Sequence, residues 1–210
     1  MKLYHYWRSS CSWRVRAALA AKGLVVEFAL VDIMPEAMGQ DDPSYVAKNP
    51  MRQIPTLEIT HGATTRHLGQ SMAILEYLEE CYPEPPLLPA DAWQRARVRQ
   101  IAEMVNAGIQ PLQGIRVMET VTSHGADARA WAVAAIDKGL TAIELLIEDT
   151  AGAFCMGDTL GMADILVYPQ IFNAKGFSMS MDAYPKLARI AESCAAHEAF
   201  ASTHPDVGKA

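Results

Sequence analysis

In the first part of the chain, segments whose apolar residues have the two-residue period of a strand are followed by segments with the 3.6-residue period of a helix. The predicted elements are a strand at 2–7, a helix at 12–22, a strand at 25–31, an irregular polar stretch, strands at 56–59 and 65–68, and a helix at 71–81. Two strands joined through a helix should lie parallel with a right-handed crossover, and the later pair should form a hairpin around His61 and Gly62. This βαβ-ββα order predicts a three-layer α/β/α domain.

The second part of the chain has helical spacing throughout. Its predicted helices, rich in Ala, Leu, Ile and Met, cover residues 91–118, 126–150, 162–173 and 184–197. Between the two parts, four of the seven residues from Pro83 to Pro89 are prolines, which cannot continue a helix and favour an extended connector. We therefore predict a first domain over 1–83, a linker over 84–89 and an all-helical domain over 90–210.

Composition narrows the class of protein. The chain has 210 residues, of which 50% are hydrophobic, so it can bury a core in each of two domains. A net charge of −6 without a basic run argues against a nucleic-acid partner. No apolar stretch approaches the roughly 20 residues that span a bilayer, and the chain opens in a strand without a signal peptide. We expect a cytoplasmic protein without a membrane segment.

The four cysteines are Cys11, Cys81, Cys155 and Cys194. They are widely spaced and show no metal-ligand spacing. In a reducing compartment they are expected to be free thiols, and no metal site is predicted.

The segment from Arg8 to Arg16 is the strongest candidate for a reactive site, because hydroxyls and a thiol lie where a strand gives way to a helix. The first turn of a helix carries roughly half a positive charge and N–H groups without intrahelical partners, so it stabilises a thiolate or carboxylate. Two other interpretations stay open at this point. The serines could be simple N-caps, or Cys11 could itself be the nucleophile, although Arg14 stands where a Cys-x-x-Cys motif needs its second thiol.

Pro55 marks the start of the third predicted strand. A βαβ-ββα sheet whose third strand follows Gln53-Ile-Pro-Thr-Leu57 resembles a thioredoxin fold, in which this proline is cis. That geometry would present the Ile54 backbone N–H and C=O to a bound peptide, as an added strand does. The alternative is a trans proline that simply begins a strand.

Four motifs together resemble the zeta class of glutathione transferases, whose best-known members are maleylacetoacetate isomerases. They are Ser9–Arg16, Asn49–Leu57, Gln70–Glu80 and Gln110–Gln113. The resemblance runs from residue 2 to the helix near residue 197. It implies a glutathione transferase fold, with a thioredoxin-like α/β N-terminal domain and an all-α C-terminal domain, and it implies a homodimer with glutathione as cofactor.

The resemblance also implies roles for individual residues. Ser9 would hydrogen-bond the glutathione sulfur, with Ser10 and Cys11 beside it. The other implied glutathione contacts are Gln40, the Ile54 main chain, Gln70 and Ser71 at the γ-glutamyl end, and Gln110 reaching across the domain cleft. The alternative interpretation of Ser71 is a helix N-cap alone.

The implied reaction is the cis–trans isomerisation of 4-maleylacetoacetate, a substrate with two carboxylates. A thiolate that adds to the conjugated alkene makes the bond single, and its expulsion after rotation restores the trans alkene. The substrate carboxylates call for cations, and Arg8 and Lys175 are the candidates, although Lys175 could equally be a solvated surface lysine. Arg14 and Arg16 are expected to hold the helix and an interface in place.

Two positions depart from the family pattern. Gly114 stands where asparagine is common, which removes a side-chain donor and leaves the substrate open. Gly161 replaces a capping serine or threonine, but Asp164 can still accept from its N–H. The alternatives are therefore maleylpyruvate as substrate, transferase or dehalogenase activity on small α-halo acids, or a non-catalytic glutathione-transferase-like interaction module.

Overall fold

The chain forms two compact units in the computed structural model, which describes residues 1–207. The first comprises Met1–Pro86 together with residues 197–207, and the second comprises Leu87–Ala196. The C-terminal segment thus packs with the first unit, whereas the division predicted from sequence places it in the helical domain. Local periodicity identifies a helix but not the surface against which the helix packs.

The first unit is built on a four-stranded mixed sheet. Its strands are β1 (Lys2–His5), β2 (Glu27–Leu30), β3 (Thr56–His61) and β4 (Thr64–Gly69), in the order β2-β1-β3-β4. The pair β1–β2 is parallel, and the pairs β1–β3 and β3–β4 are antiparallel. The predicted parallel pair and the predicted hairpin are both confirmed.

Helices α1 (Ser10–Ala21) and α3 (Ser71–Cys81) pack together, and the thioredoxin-like arrangement is confirmed. A short helix, α2 (Pro43–Val46), was predicted as irregular. Its Tyr45 packs edge-on to the Tyr4 ring and lies 2.9 Å from Thr56 Oγ1. Asp42 caps this helix, and Pro43 occupies its first turn, where a missing N–H has no cost.

The C-terminal segment docks on α1. It contains the short helix α9 (Glu198–Ala201). The Trp13 indole N–H donates to Thr203 Oγ1 at 3.1 Å, and the Phe200 ring meets Trp13 edge-on with centroids 5.9 Å apart. Arg16 Nη2 donates to the Thr203 carbonyl at 3.2 Å. Phe200 and Thr203 are therefore part of the core around α1.

The second unit is all-helical, as predicted. Its helices are α4 (Ala92–Glu103), α5 (Ile115–Ser123), α6 (Ala128–Leu146), α7 (Met162–Gly176) and α8 (Pro185–Ala196). The single helix predicted over 91–118 is wrong, because a π turn at Met104–Ile109 and a 3-10 turn at Gln110–Gln113 separate α4 from α5. Pro111 has no N–H to donate to a helix, and Gly114 is extended, at the cap of α5.

Asp164 organises the start of α7, as expected. It is 1% exposed, and its two carboxylate oxygens accept from the Gly161 N–H at 2.9 Å and the Cys155 N–H at 2.8 Å. Burial raises the pKa values of the Cys155 and Cys194 thiols. All four cysteines are free, and these two are buried and protonated, which makes them poor nucleophiles.

A buried ion pair joins the ends of α1 and α3. Lys22 Nζ lies 2.7 Å from Glu79 Oε2, with the two side chains 0% and 7% exposed. The same ammonium group donates to the carbonyls of Tyr82 at 2.7 Å and Pro85 at 3.0 Å. One side chain therefore satisfies a carboxylate and two carbonyls where the chain leaves the first unit.

Replacing Lys22 with methionine should destabilise the protein by about 3–5 kcal/mol, since it leaves the Glu79 carboxylate buried without its cation. Urea unfolding followed by tryptophan fluorescence measures this loss. The double variant Lys22→Met, Glu79→Leu should be more stable than Lys22→Met alone. Lys2→Met, which removes an exposed pair with Glu27, is the control and should leave the unfolding midpoint unchanged.

Candidate active site

The candidate site lies at one end of the sheet of the first unit. Tyr4 in β1 pairs with Thr56 in β3, and Thr56 pairs with Gly69 in β4. The residues that follow β1, precede β3 and follow β4 therefore gather at the same end. This register brings together the predicted site residues around Ser9, Ile54 and Gln70.

Ser9 is the N-cap of α1. Its hydroxyl oxygen accepts from the Ser12 N–H at 3.2 Å, and its carbonyl accepts from the Trp13 N–H at 2.8 Å. The capping bond uses the oxygen as an acceptor and leaves the hydroxyl hydrogen to serve as a donor. The capping role and the predicted thiol-binding role are therefore compatible. Ser10 is buried and Cys11 half-buried in the first turn, where helix N–H groups lack intrahelical acceptors.

The loop before β3 is held by buried polar side chains. The Ile54–Pro55 bond is cis, so the trans alternative is wrong. The Gln53 carbonyl accepts from the Tyr45 hydroxyl at 2.6 Å and from Asn49 Nδ2 at 2.8 Å. Asn49 Nδ2 also donates to Thr56 Oγ1 at 3.1 Å. The half-buried Ile54 thus follows a carbonyl fixed from two directions.

Gln70 and Ser71 begin α3. Gln70 is a non-glycine residue at φ 66°, a conformation with a steric cost that often marks functional sites. Its side-chain N–H donates to Gln53 Oε1 at 2.9 Å. Ser71 is 5% exposed, and its hydroxyl oxygen accepts from Arg14 Nη1 at 3.1 Å. Gln53 and Arg14 are thus site neighbours that were not among the predicted site residues, although both belong to the motifs Asn49–Leu57 and Ser9–Arg16.

Gln40 lies in the short turn Gly39–Asp41 and is 6% exposed. Its amide nitrogen lies 3.6 Å from the Met38 sulfur, and its amide oxygen has no hydrogen-bond partner within residues 1–207. A buried acceptor in this state costs free energy until a donor reaches it. The neighbouring Asp41 carboxylate lies 3.5 Å from Arg52, which joins this turn to the loop before β3.

The remaining predicted residues are Arg8 in the first unit and Gln110 and Lys175 in the helical unit. Arg8 is exposed, with its guanidinium carbon 5.6 Å from the centroid of the Trp7 ring. In the helical unit, Gln110 begins the 3-10 turn, and Lys175 is exposed in the last turn of α7, where a cation is also favoured by the helix dipole.

The helical unit contains an open hollow of about 640 Å³. Gln113 and Phe177 are among its lining residues, whereas Gln110 and Lys175 are not. Gln113 forms a reciprocal amide pair with the buried Gln170, with N···O distances of 2.6 and 3.2 Å. This pair fixes the 3-10 turn to α7.

Arg16 fixes the chain where β1 ends, at His5 and the two residues that follow it. It donates to the carbonyls of Tyr6 at 3.4 Å and Trp7 at 3.0 Å, and its Nη1 lies 3.3 Å from His5 Nδ1. Because a guanidinium can only donate, Nδ1 accepts and the imidazole is neutral. Burial and then the Arg16 charge lower the pKa of His5 to about 4.

Residues 1–207 contain neither a cluster of metal ligands nor a membrane-spanning helix. No group of three or more His, Cys, Asp or Glu side chains could hold a metal ion. No helix in this part of the chain is both long and apolar enough to cross a membrane.

Comparisons with known proteins identify the family. Residues 3–86 match the family model of the glutathione S-transferase N-terminal domain. Maleylacetoacetate isomerase from Rattus norvegicus is 43% identical over 203 residues, which cover 97% of this chain and 91% of the rat protein. The chain therefore belongs to the maleylacetoacetate isomerase family of zeta-class glutathione transferases.

Solved structures agree with this assignment. The crystal structure of maleylacetoacetate isomerase from Anaeromyxobacter dehalogenans 2CP-1 with bound glutathione is 45% identical, with a TM-score of 0.91 over 99% of this chain and 96% of that one. A second structure of that protein contains dicarboxyethyl glutathione and citrate in the active site. Maleyl pyruvate isomerase, a bacterial zeta-class enzyme, is 36% identical, with a TM-score of 0.92 over 100% of this chain and 99% of that one.

The neutral state of His5 predicts a specific acid sensitivity. In the unfolded chain His5 binds a proton as the pH falls below its ordinary pKa of 6.5, whereas in the folded protein it stays neutral down to about pH 4. The free energy of unfolding therefore decreases as the pH falls from about 6.5 to about 4. The loss should reach about 2–3 kcal/mol. His5→Gln keeps an acceptor for Arg16 and should flatten this part of the stability curve, measured by urea unfolding from pH 7 to pH 4.

The exposed His61 provides the control. His61→Gln should retain the slope of the unsubstituted protein. An unchanged slope in His5→Gln would contradict the assignment of this acid sensitivity to His5.

Proposed function

We propose that the chain is a glutathione-dependent isomerase that converts 4-maleylacetoacetate to 4-fumarylacetoacetate. The observation that carries this proposal is the meeting of two helix N-termini, α1 at Ser9 and α3 at Ser71, joined by the bond from Arg14 to Ser71. Helix N-termini favour anionic groups, so the pair suits a thiolate at one end of a ligand and a carboxylate at the other. The relatives named above support the same reaction.

The residues at the sheet end fit glutathione. Ile54 offers its main chain to the cysteinyl unit, and Gln70 and Ser71 offer donors to the γ-glutamyl carboxylate. The orphaned amide oxygen of Gln40 matches a ligand N–H, which is the type of group that a tripeptide supplies. The bond from Gln70 to Gln53 ties the γ-glutamyl end to the loop that carries Ile54.

Ser9, with Ser10 and Cys11 beside it, holds the sulfur. When bound, glutathione supplies a thiolate that adds to the conjugated double bond and is expelled unchanged after rotation about the resulting single bond. Lowering a thiol pKa from about 8.5 to about 6.5 takes about 2.7 kcal/mol. One hydrogen bond to a charged group contributes about 1.5–3 kcal/mol and a helix terminus about 0.3–1 kcal/mol, so the start of α1 suffices without a general base.

Arg8 and Lys175 would serve the two carboxylates of the substrate. Both side chains are exposed, as groups that meet an incoming dianion must be. Donors to the enolate-like state formed during rotation would lower the barrier further. Gln110 is the proposed contribution of the helical unit to glutathione binding.

Maleylpyruvate is the second candidate substrate, because Gly114 supplies no side-chain donor where the family commonly has asparagine. Transferase or dehalogenase activity on small α-halo acids would use the same thiolate.

A non-catalytic interaction module is disfavoured, since the cap at Ser9 and the bond at Ser71 preserve two anion sites that such a module does not need. A homodimer, which the family resemblance implies, and the cytoplasmic location expected from the sequence complete the proposal.

Ser9→Ala should lower turnover of 4-maleylacetoacetate about tenfold to a hundredfold, because the hydrogen bond to the thiolate is lost. Glutathione affinity, measured by calorimetry, should change little. Cys11→Ala, which removes the thiol two residues further along in the same turn, is the comparison variant and should keep most of the turnover.

The assay follows loss of each cis-diacid with and without glutathione. Loss of activity in Cys11→Ala together with full activity in Ser9→Ala would make Cys11 the nucleophile. A faster reaction with maleylpyruvate than with maleylacetoacetate would change the substrate, and the absence of saturable glutathione binding would favour the interaction module.

A further inference from the structure

Helix α1 buries two arginines that make different kinds of contact. Arg14 is 0% exposed and Arg16 is 3% exposed. Arg16 donates to the backbone carbonyls of Tyr6 and Trp7, which follow β1, and to a carbonyl of the C-terminal segment, which is a structural role. Arg14 instead donates from Nη1 to the side-chain oxygen of Ser71, 57 residues away on another helix.

This contact determines how the Ser71 hydroxyl can act. A hydroxyl has one hydrogen and accepts through its lone pairs, so the bond from Arg14 occupies the oxygen as an acceptor and turns the O–H away from the guanidinium. Ser71 is the first residue of an 11-residue helix with no acidic side chain in its first turn. Its O–H and the first N–H groups of α3 are thereby available to a ligand as donors.

We infer that Arg14 is a positioning residue for the γ-glutamyl carboxylate of glutathione, acting through Ser71. The inference rests on the proposed function and extends it, because Arg14 was expected from sequence only to hold the helix in place. A full positive charge behind a hydroxyl polarises the O–H and strengthens its bond to a carboxylate. The residue also lies one turn beyond the Ser9 cap, so one helix aligns both the thiol end and the carboxylate end of the ligand.

The test uses two ligands and compares their affinities by calorimetry. The probes are glutathione and the analogue in which the γ-glutamyl α-carboxylate is replaced by an amide. The unsubstituted protein should prefer glutathione. Arg14→Met should weaken glutathione binding about tenfold to a hundredfold but weaken analogue binding much less. The ratio of the two affinities should therefore fall close to one. Arg14→Lys keeps the charge without the planar fork and should restore part of the preference.

Arg16→Met is the matched control, because it removes an equally buried guanidinium two residues away on the same helix. It should lower the urea midpoint and retain the ligand preference. If Arg14→Met does not fold, Ser71→Ala tests the same link, since it should lose the preference and Arg14→Lys should then add no further loss.

The outcomes separate the inference from the function on which it rests. No binding of glutathione to the unsubstituted protein would refute the proposed function. Normal binding and an unchanged preference in folded Arg14→Met or in Ser71→Ala would overturn the inference alone. Equal collapse of the preference in Arg16→Met would show that any buried arginine of α1 has this effect, and would also overturn it.

Discussion

Burial of α1 on almost all its sides is the constraint on which the first unit depends. A helix in this position can carry arginines only if groups from other elements satisfy them, because a buried charge without partners is costly. Arg16 donates to the carbonyls of Trp7, just after β1, and of Thr203 in the C-terminal segment, and Arg14 donates to Ser71 of α3. The contacts that make the core possible therefore also set the position of the helix N-terminus at which the chemistry is proposed.

The loop before β3 is likewise held in place by hydrogen bonds from buried side chains. Asn49 and Tyr45 point their polar atoms at the Gln53 carbonyl, so this loop is fixed from inside the protein. Gly69 leaves the space that this requires, since a Cβ there would come within 2.9 Å of Asn49 Nδ2. Asn49, Tyr45 and Gly69 have no proposed contact with glutathione, yet they determine the geometry of the loop that carries Ile54, which has one.

The strands and the main helices of the first unit were predictable because each is long enough to show a period and ends at a clear signal. The elements that were missed each have a physical reason. Helix α2 has a single turn, too short for any period, although Asp42 and Pro43 are a recognisable start. The break within 91–118 comes from Pro111 and Gly114, which interrupt an otherwise continuous apolar pattern. Ser9 and Ser71 could be selected from motifs, whereas the bond between Arg14 and Ser71 joins residues far apart in sequence and needed the fold.

The two units are interleaved along the chain, because the first is completed only by the segment that begins at His197. Domains generally fold as units during synthesis, from the N-terminus onward. A ribosome that has made only the strands and helices up to Pro86 has not yet made Phe200 and Thr203, against which Trp13 packs. Helix α1 therefore reaches its final packing only after the whole helical unit has been synthesised.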